Sequence, residues 1–127
     1  MTLKHFVILV LTFTGHTVSV HAADLVVSKE RWLSEMRNVL PAAFCKDGSY
    51  FRECFEAKVT VCHSTATEAT ESCLRQFEPQ IPKQLHQPND GSLWGNNIGV
   101  CAGTIFEITL KKNKVINAKC NNPSLWK

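Results

Sequence analysis

Six cysteines constrain the fold of this 127-residue chain more than any other feature. An even number of cysteines in a short exported chain is typical of a disulfide framework, so we predict three disulfides. No Cys-x-x-Cys pair is present, which argues against a metal site and against a redox thiol. The predicted disulfide cysteines are Cys45, Cys54, Cys62, Cys73, Cys101 and Cys120.

The N-terminus has the pattern of a removable signal peptide. A basic residue precedes an apolar run at residues 6–13, and Val20 and Ala22 occupy the −3 and −1 positions of a cleavage site. We therefore predict a signal peptide over residues 1–22 and a single disulfide-bonded domain over residues 23–127. The apolar run is about half as long as the roughly 20 residues of a membrane span, so we expect no stable membrane anchor.

The leader predicts export to the bacterial periplasm or to the extracellular space. The sequence contains no Asn-x-Ser/Thr glycosylation site, because Asn122 is followed by Pro123. This absence slightly favours the periplasm. The formal net charge is only +3 at pH 7, whereas a nucleic-acid-binding domain usually carries a strong basic stripe. We therefore expect no nucleic acid partner.

Apolar side chains recur at helical intervals in the first half of the mature chain. Residues 28–40 predict an amphipathic helix with Ser28 as its N-cap and with Pro41 as a bend or stop. A turn follows, and Ser49 is placed to cap a second helix over about residues 50–59. Both segments are predicted to bury one face.

A third helix is predicted from the most regular spacing in the chain, over residues 62–77. Thr60 is expected to break the second helix and to cap this one. Glu71 lies four residues before Arg75, a spacing that favours an ion pair on the exposed face. Glu78, followed by a proline, is expected to end the helix.

Helix geometry restricts the disulfide connectivity. Cys62 and Cys73 would lie about 16 Å apart along one helix, whereas a disulfide needs Cα atoms within about 7 Å. Each must therefore pair with another segment. A bond between Cys54 and Cys62 is excluded as well, unless a helix break separates them. We expect Cys101 and Cys120 to tie the last third of the chain to the helical hairpin, and the remaining choices stay open.

The last third of the chain is the hardest part to interpret. Residues 79–97 are rich in Pro, Gly, Asn and Gln and predict a long irregular loop. Residues 97–112 fit a helix, in which Gly99 and Gly103 allow close approach of a neighbour. The same stretch fits the first strand of a hairpin over about residues 104–119. We favour the helix, because no glycine is present to form the hairpin turn.

The predicted fold class is therefore all-α, a small disulfide-stapled bundle of about four helices with a long irregular loop. The alternative is an α+β fold with a C-terminal hairpin at about residues 104–119. Both predicted folds contain three disulfides within one small domain.

No motif in the chain specifies catalysis. A secreted ribonuclease could use two histidines and a lysine, for which His63, His86 and Lys83 are the candidates. Their spacing does not enforce the required geometry, and no Gly-x-Ser-x-Gly elbow is present. We predict no catalytic residue, no metal site and no cofactor, and we keep a small secreted hydrolase as a further alternative.

The favoured function is that of an exported, non-enzymatic binding or accessory protein, such as an inhibitor, an immunity protein or a chaperone-like factor. Its expected partner is another exported protein. Tryptophan is enriched at contact hot spots, and the possible contact residues are Trp94, Asn96, Asn97 and Trp126.

A small apolar-ligand carrier is the alternative function. In a carrier, disulfide-tied helices would enclose a cavity of several hundred Å³, the size of an ordinary ligand pocket. The aromatic side chains that could line such a cavity are Tyr50, Phe51, Phe55 and Phe77. A contact protein should instead have a filled core and an exposed apolar surface near Trp94.

Overall fold

The computed structural model describes residues 25–126, which are mostly helical. The predicted signal peptide, its cleavage site and the predicted start of the mature chain lie outside the described residues. The regular elements in chain order are β1 (Leu25–Ser28), α1 (Lys29–Phe44), α2 (Tyr50–Glu53), α3 (Val59–Phe77), β2 (Gln84–Gln87) and α4 (Asn89–Thr109), with 3-10 turns at Glu78–Gln80, Lys111–Asn113 and Pro123–Leu125. The predicted class, a small disulfide-stapled helical fold, is confirmed.

Helix α1 begins as predicted and ends later than predicted. Ser28 is its N-cap, and the side-chain oxygen of Ser28 accepts a hydrogen bond from the backbone N–H of Arg31 at 3.3 Å. The prediction that Pro41 stops the helix is wrong. Pro41 donates no hydrogen bond, but its carbonyl oxygen still accepts one from the N–H of Cys45 at 3.1 Å. The last turn therefore forms, and it carries Phe44 into the core.

Helix α2 is a single turn, much shorter than the predicted helix over residues 50–59. Ser49 caps it as expected, accepting a hydrogen bond from the N–H of Arg52. The chain then leaves the helix because Phe55 forms an isolated antiparallel bridge with Lys114. The carbonyl oxygen of Cys54 accepts a hydrogen bond from the N–H of Val115 at 2.9 Å in the same place. Pairing with a segment about sixty residues later in the chain thus ends the helix.

Helix α3 confirms the predicted third helix, although its start and its ion pair differ from the prediction. It begins at Val59, so Thr60 lies inside the helix instead of capping it. Glu71 pairs with Arg37 of α1 at 2.9 Å, and the predicted pair with Arg75 is not formed. The helix packs against both α1 and α4. The apolar stripe that does so is fully or almost fully buried and consists of Cys62, Ala66, Ala69, Cys73 and Leu74.

The predicted long loop over residues 79–97 is mostly ordered structure. Strand β2 pairs antiparallel with β1, with Ser28 opposite Gln84 and Leu25 opposite Gln87. Helix α4 starts at Asn89, so the irregular connection is short. The prediction missed the first turns of α4 because they are polar and rich in glycine.

Helix α4 settles the ambiguous segment in favour of a helix, and the C-terminal hairpin over residues 104–119 is wrong. Ile98, Ala102 and Phe106 recur every four residues and have no exposed surface, which is a helical stripe. The hydroxyl of Thr104 donates to the carbonyl of Val100 at 2.8 Å, so a β-branched residue is accommodated within the helix. The tail after α4 is irregular, as expected.

Three disulfides tie the helices together, as predicted. They join Cys45 to Cys62, Cys54 to Cys120 and Cys73 to Cys101, with Cα–Cα distances of 5.9, 5.4 and 6.0 Å. The expected exclusion of a bond from Cys62 to Cys73 is confirmed. A helix break does separate Cys54 from Cys62, so the condition for excluding that bond is not met, and the two cysteines pair elsewhere. The bond to Cys120 spans 66 residues, and a loop of that length predicts about 4 kcal/mol of stabilisation through the unfolded chain.

Candidate functional site: an aromatic groove beside helix α4

Four phenylalanine side chains, from Phe44, Phe51, Phe55 and Phe106, pack together as a filled part of the core. Phe106 has no exposed surface, and its ring contacts those of Phe51 and Phe55 edge-to-face at 5.0 and 5.4 Å between centroids. The rings of Phe44 and Phe51 stack at 4.1 Å. Of the residues that were predicted to line a cavity, Phe55 is buried in this core, Tyr50 and Phe51 are half-buried beside it, and Phe77 packs on Trp94.

An open groove of about 610 Å³ runs between this cluster and helix α4. We call it the aromatic groove. It has a greater volume than three other concavities of residues 25–126, which measure about 400, 250 and 180 Å³. Its lining residues are Phe44, Tyr50, Phe51, Gly95, Asn96, Gly99, Val100, Gly103, Thr104, Glu107 and Pro123.

Three glycines, one helical turn apart, form the α4 side of the aromatic groove. A Cβ atom at Gly103 would lie only 3.0 Å from Cζ of Phe51, so this glycine lets the ring pack directly on the helix. A Cβ atom at Gly95 or at Gly99 would have nothing within 4 Å. The part of the groove over Gly95 and Gly99 is therefore open, and the part over Gly103 is filled by Phe51.

A polar cluster closes one end of the aromatic groove. The hydroxyl of Tyr50 donates to Oε1 of Glu107 at 2.6 Å and accepts a hydrogen bond from Nζ of Lys114. That ammonium also lies 4.4 Å and 4.7 Å from the ring centroids of Tyr50 and Phe55. Burial, and then the bond to Glu107 and its charge, raise the pKa of the Tyr50 hydroxyl well above its usual value.

Sequence reasoning did not single out Glu107 or Lys114. A signal for Glu107 was present, because Gly95, Gly99, Gly103 and Glu107 are each four residues apart and so share one helix face. No comparable signal existed for Lys114, which follows α4 and reaches Tyr50 across 64 residues of sequence.

The predicted contact residues are not gathered at one place. Asn96 lines the aromatic groove. Trp94 is half-buried against Phe77, with ring centroids 6.4 Å apart, and Asn97 is half-buried on α4. Both therefore lie on helix α4 rather than in the loop that the sequence predicted.

Trp126 lies in the tail and anchors it to the bundle. Its ring contacts that of Tyr50 at 5.8 Å, and its indole N–H donates to the carbonyl of Lys119 at 3.1 Å. The ammonium of Lys119 lies 3.8 Å from the Trp126 ring. Trp126 is half-buried and borders a smaller concavity of about 250 Å³ next to Phe44 and Tyr50.

The candidate catalytic histidines are placed on separate elements. His63 is exposed on α3 and His86 is exposed on β2. Neither lines the aromatic groove or any of three other concavities of residues 25–126. The backbone N–H of His86 donates to Asp90 at 2.7 Å, which is a structural contact at the start of α4. This geometry does not assemble the pair that a ribonuclease would need.

Two further features of residues 25–126 bear on possible sites. No three His, Cys, Asp or Glu side chains in this range converge as they would around a metal ion. None of the helices in the same range has both the length and the apolar character needed to cross a membrane.

The chain matches a known protein family. Residues 26–120, about three quarters of the chain, match the family described as T2SS substrate NttA, in which T2SS denotes a type II secretion system. No curated protein and no solved structure matches the chain. The matched residues include all six cysteines, α1 to α4 and the groove residues from Phe44 to Glu107. The chain therefore belongs to the family of T2SS substrate NttA and is an exported protein.

Proposed function

We propose that this protein is a non-enzymatic binding protein that acts by contact with another exported protein through the aromatic groove. The observation that carries the proposal is the open glycine face of α4. Glycine in a helix interior costs about 1 kcal/mol relative to alanine, yet Gly95 and Gly99 have open space where a Cβ atom would fit. Close packing of a partner protein against α4 would explain why glycine occupies these two positions.

The surroundings of the groove support contact with a protein. Leu93 and Val100 lie on the exposed side of α4, with 55% and 63% of their surfaces accessible. The core beneath is filled, since Ile98, Ala102 and Phe106 have no exposed surface. Apolar side chains around an open concavity are typical of a surface that a partner covers.

The site of action that we propose is outside the cell. The family name describes a substrate of a secretion system, which supports passage beyond the periplasm that the sequence slightly favoured. The test compares periplasmic and culture-supernatant fractions from cells with and without a functional type II secretion system. Protein in the supernatant of the first strain and in the periplasm of the second supports this site of action. Periplasmic protein in both strains would contradict it.

The contact role is tested by filling the groove. Gly99→Trp places a large ring where no atom lies within 4 Å of the Cβ position, so the fold should tolerate it. Val39→Trp is the matched control, because Val39 is 60% exposed on α1 and does not line the groove. Native exported fractions are captured on each protein with the disulfides intact, and every candidate partner is then purified and titrated by calorimetry.

We expect one partner to bind the wild type and Val39→Trp with equal affinity. The same partner should bind Gly99→Trp at least tenfold more weakly than the wild type. Amide chemical shifts of the labelled protein should change around Gly95 and Gly99 when the purified partner is added. A partner that binds all three proteins equally would show that the groove is not the contact site.

A small apolar-ligand carrier is the second candidate, and the size of the groove favours it. Its volume of about 610 Å³ lies within the usual 300–1,000 Å³ of ligand pockets. The groove is open along one side, however, whereas ligand pockets bury most of their ligand. Native mass spectrometry of the exported protein decides between the two, because a carrier should retain a lipid-sized ligand that Gly99→Trp loses.

A further inference from the structure

The aromatic groove contains a single charged residue. Ten of its eleven lining residues are apolar, glycine or neutral polar, and Glu107 is the exception. Aromatic rings on one wall and a carboxylate at one end are the two groups that attract a cation, by cation–π attraction and by ion pairing. The chemistry of the groove therefore favours a positively charged group over a negative one.

Glu107 is held in place but has no ionic partner among the described residues. The hydroxyl of Tyr50 donates to Oε1 of Glu107, and that is the one hydrogen bond its side chain makes within residues 25–126. The salt bridges in that range join Arg31 to Glu35 and Arg37 to Glu71. Within residues 25–126, Oε2 of Glu107 accepts no hydrogen bond and is therefore available to a bound group.

Lys114 is a cation beside Glu107 that is held by the hydroxyl and the rings of the aromatic cluster. Its ammonium donates to the Tyr50 hydroxyl and lies over the rings of Tyr50 and Phe55. It lines a neighbouring concavity of about 180 Å³ together with Glu107 and Lys111, and neither lysine lines the aromatic groove. Lys114 therefore fixes the Tyr50 hydroxyl, which in turn orients Glu107, without filling the cation position on the groove side.

The length of the groove suits a short peptide segment. Gly95 and Glu107 are twelve residues apart on one helix, which corresponds to about 18 Å. That distance matches about three helical turns, or five to six extended residues. The occupant therefore lies over the open glycines at one end, crosses the Phe51 ring that fills the groove over Gly103, and reaches the carboxylate at the other end.

We infer that the aromatic groove binds an amphipathic segment of an exported protein, with apolar side chains over Gly95 and Gly99 and a lysine or arginine paired with Glu107. The inference rests on the proposed contact function and names the chemistry of the partner. The apolar stem of the basic side chain lies along Phe51 and Tyr50, and its charged head reaches Oε2 of Glu107. Glu107 is thus the residue that determines specificity.

The test uses three synthetic peptides with the same stripe of leucines, which differ at one position as Lys, Gln or Glu. Dissociation constants are measured at low and high salt for four proteins. These are the wild type, Glu107→Gln, Gly99→Trp and Glu56→Gln. Glu56 is exposed and does not line the groove, so Glu56→Gln is the matched control. Circular dichroism and thermal melting verify that each variant folds.

The wild type and Glu56→Gln should bind the Lys peptide about fivefold more tightly than the Gln peptide, and the Glu peptide more weakly still. Glu107→Gln should bind the Lys and Gln peptides equally, and high salt should reduce the preference in the wild type. Gly99→Trp should weaken binding of all three peptides at least tenfold.

Two results would overturn the inference. The first is an equal affinity of the wild type for the Lys and Gln peptides, and the second is a Lys preference that persists in Glu107→Gln. If the first occurs while Gly99→Trp still blocks binding, the charge selectivity fails and the groove remains the contact site. If no peptide binds the wild type, the inference fails, and partner capture with Gly99→Trp decides the contact function separately.

Discussion

Three of the four glycines of α4 give a prediction in which substitution by alanine changes the stability in opposite directions at neighbouring positions. Gly99→Ala adds a methyl group that meets no atom within 4 Å, so it introduces no steric cost. The substitution removes the conformational freedom of glycine in a helix interior, which is worth about 1 kcal/mol. We therefore expect Gly99→Ala to raise the free energy of unfolding by about 1 kcal/mol, and Gly95→Ala to do the same.

Gly103→Ala should destabilise the protein instead. Its methyl group would lie 3.0 Å from Cζ of Phe51, and that ring is already stacked on Phe44 at 4.1 Å between centroids. Overpacking of a core typically costs about 1–3 kcal/mol. Because the gain in helix propensity offsets about 1 kcal/mol of this cost, we expect a net loss of up to about 2 kcal/mol.

The assay is thermal unfolding by calorimetry under non-reducing conditions. For a domain of about 100 residues, 1 kcal/mol corresponds to a change in Tm of about 4 °C. Gly99→Ala and Gly95→Ala should each melt about 4 °C higher than the wild type, and Gly103→Ala should melt lower. If Gly99→Ala lowered the Tm, the groove would not be open at that position. If all three substitutions raised the Tm equally, Phe51 would not pack on Gly103.

Three further predictions test other parts of the structure. Tyr50 is the single tyrosine of the chain, and burial and Glu107 raise the pKa of its hydroxyl. Its contribution to stability is therefore full below about pH 10 and is lost as the pH rises further. Ultraviolet absorbance of tyrosinate should appear at a higher pH in the folded protein than in the unfolded chain, and Glu107→Gln should shift this titration to lower pH. Cys101 is the one half-exposed disulfide cysteine of the six, so partial reduction followed by alkylation and mass spectrometry should label the Cys73–Cys101 pair first. Phe106→Ala should cost about 3–5 kcal/mol in urea unfolding, because Phe106 has no exposed surface and contacts three other phenylalanine rings.

The sequence predicts those parts of the fold that depend on local pattern. The N-cap at Ser28 and the stripe from Cys62 to Cys73 follow from the order of neighbouring residues alone. Helix α2 was predicted too long because Cys54 and Phe55 leave the helix to contact Cys120 and Lys114. Nothing near Cys54 in the sequence reveals partners that lie about sixty residues away.

The candidate site was predicted less well than the fold, and the reason is physical. A groove is formed by what side chains leave empty, so its key positions are Gly95 and Gly99, which have no side chain to suggest a function. The same glycines made the start of α4 resemble a loop, and they placed Trp94 and Asn96 in a segment that was taken to be irregular. Asn96 nevertheless lines the groove together with Val100 and Thr104. These three residues are four positions apart, so they share one face of α4.

The disulfides explain how helix α4 tolerates a face that is made of glycines. Three helix-interior glycines together cost about 3 kcal/mol relative to alanine. The Cys73–Cys101 bond closes a loop of 28 residues, which predicts about 3–4 kcal/mol of stabilisation through the unfolded chain. The two magnitudes are comparable, and the bond holds α4 against α3 on the side away from the glycines. Disulfides persist in oxidising compartments, so export allows the Cys73–Cys101 bond to remain formed. The bond offsets the low helix propensity of the glycines, and α4 can therefore keep an open groove.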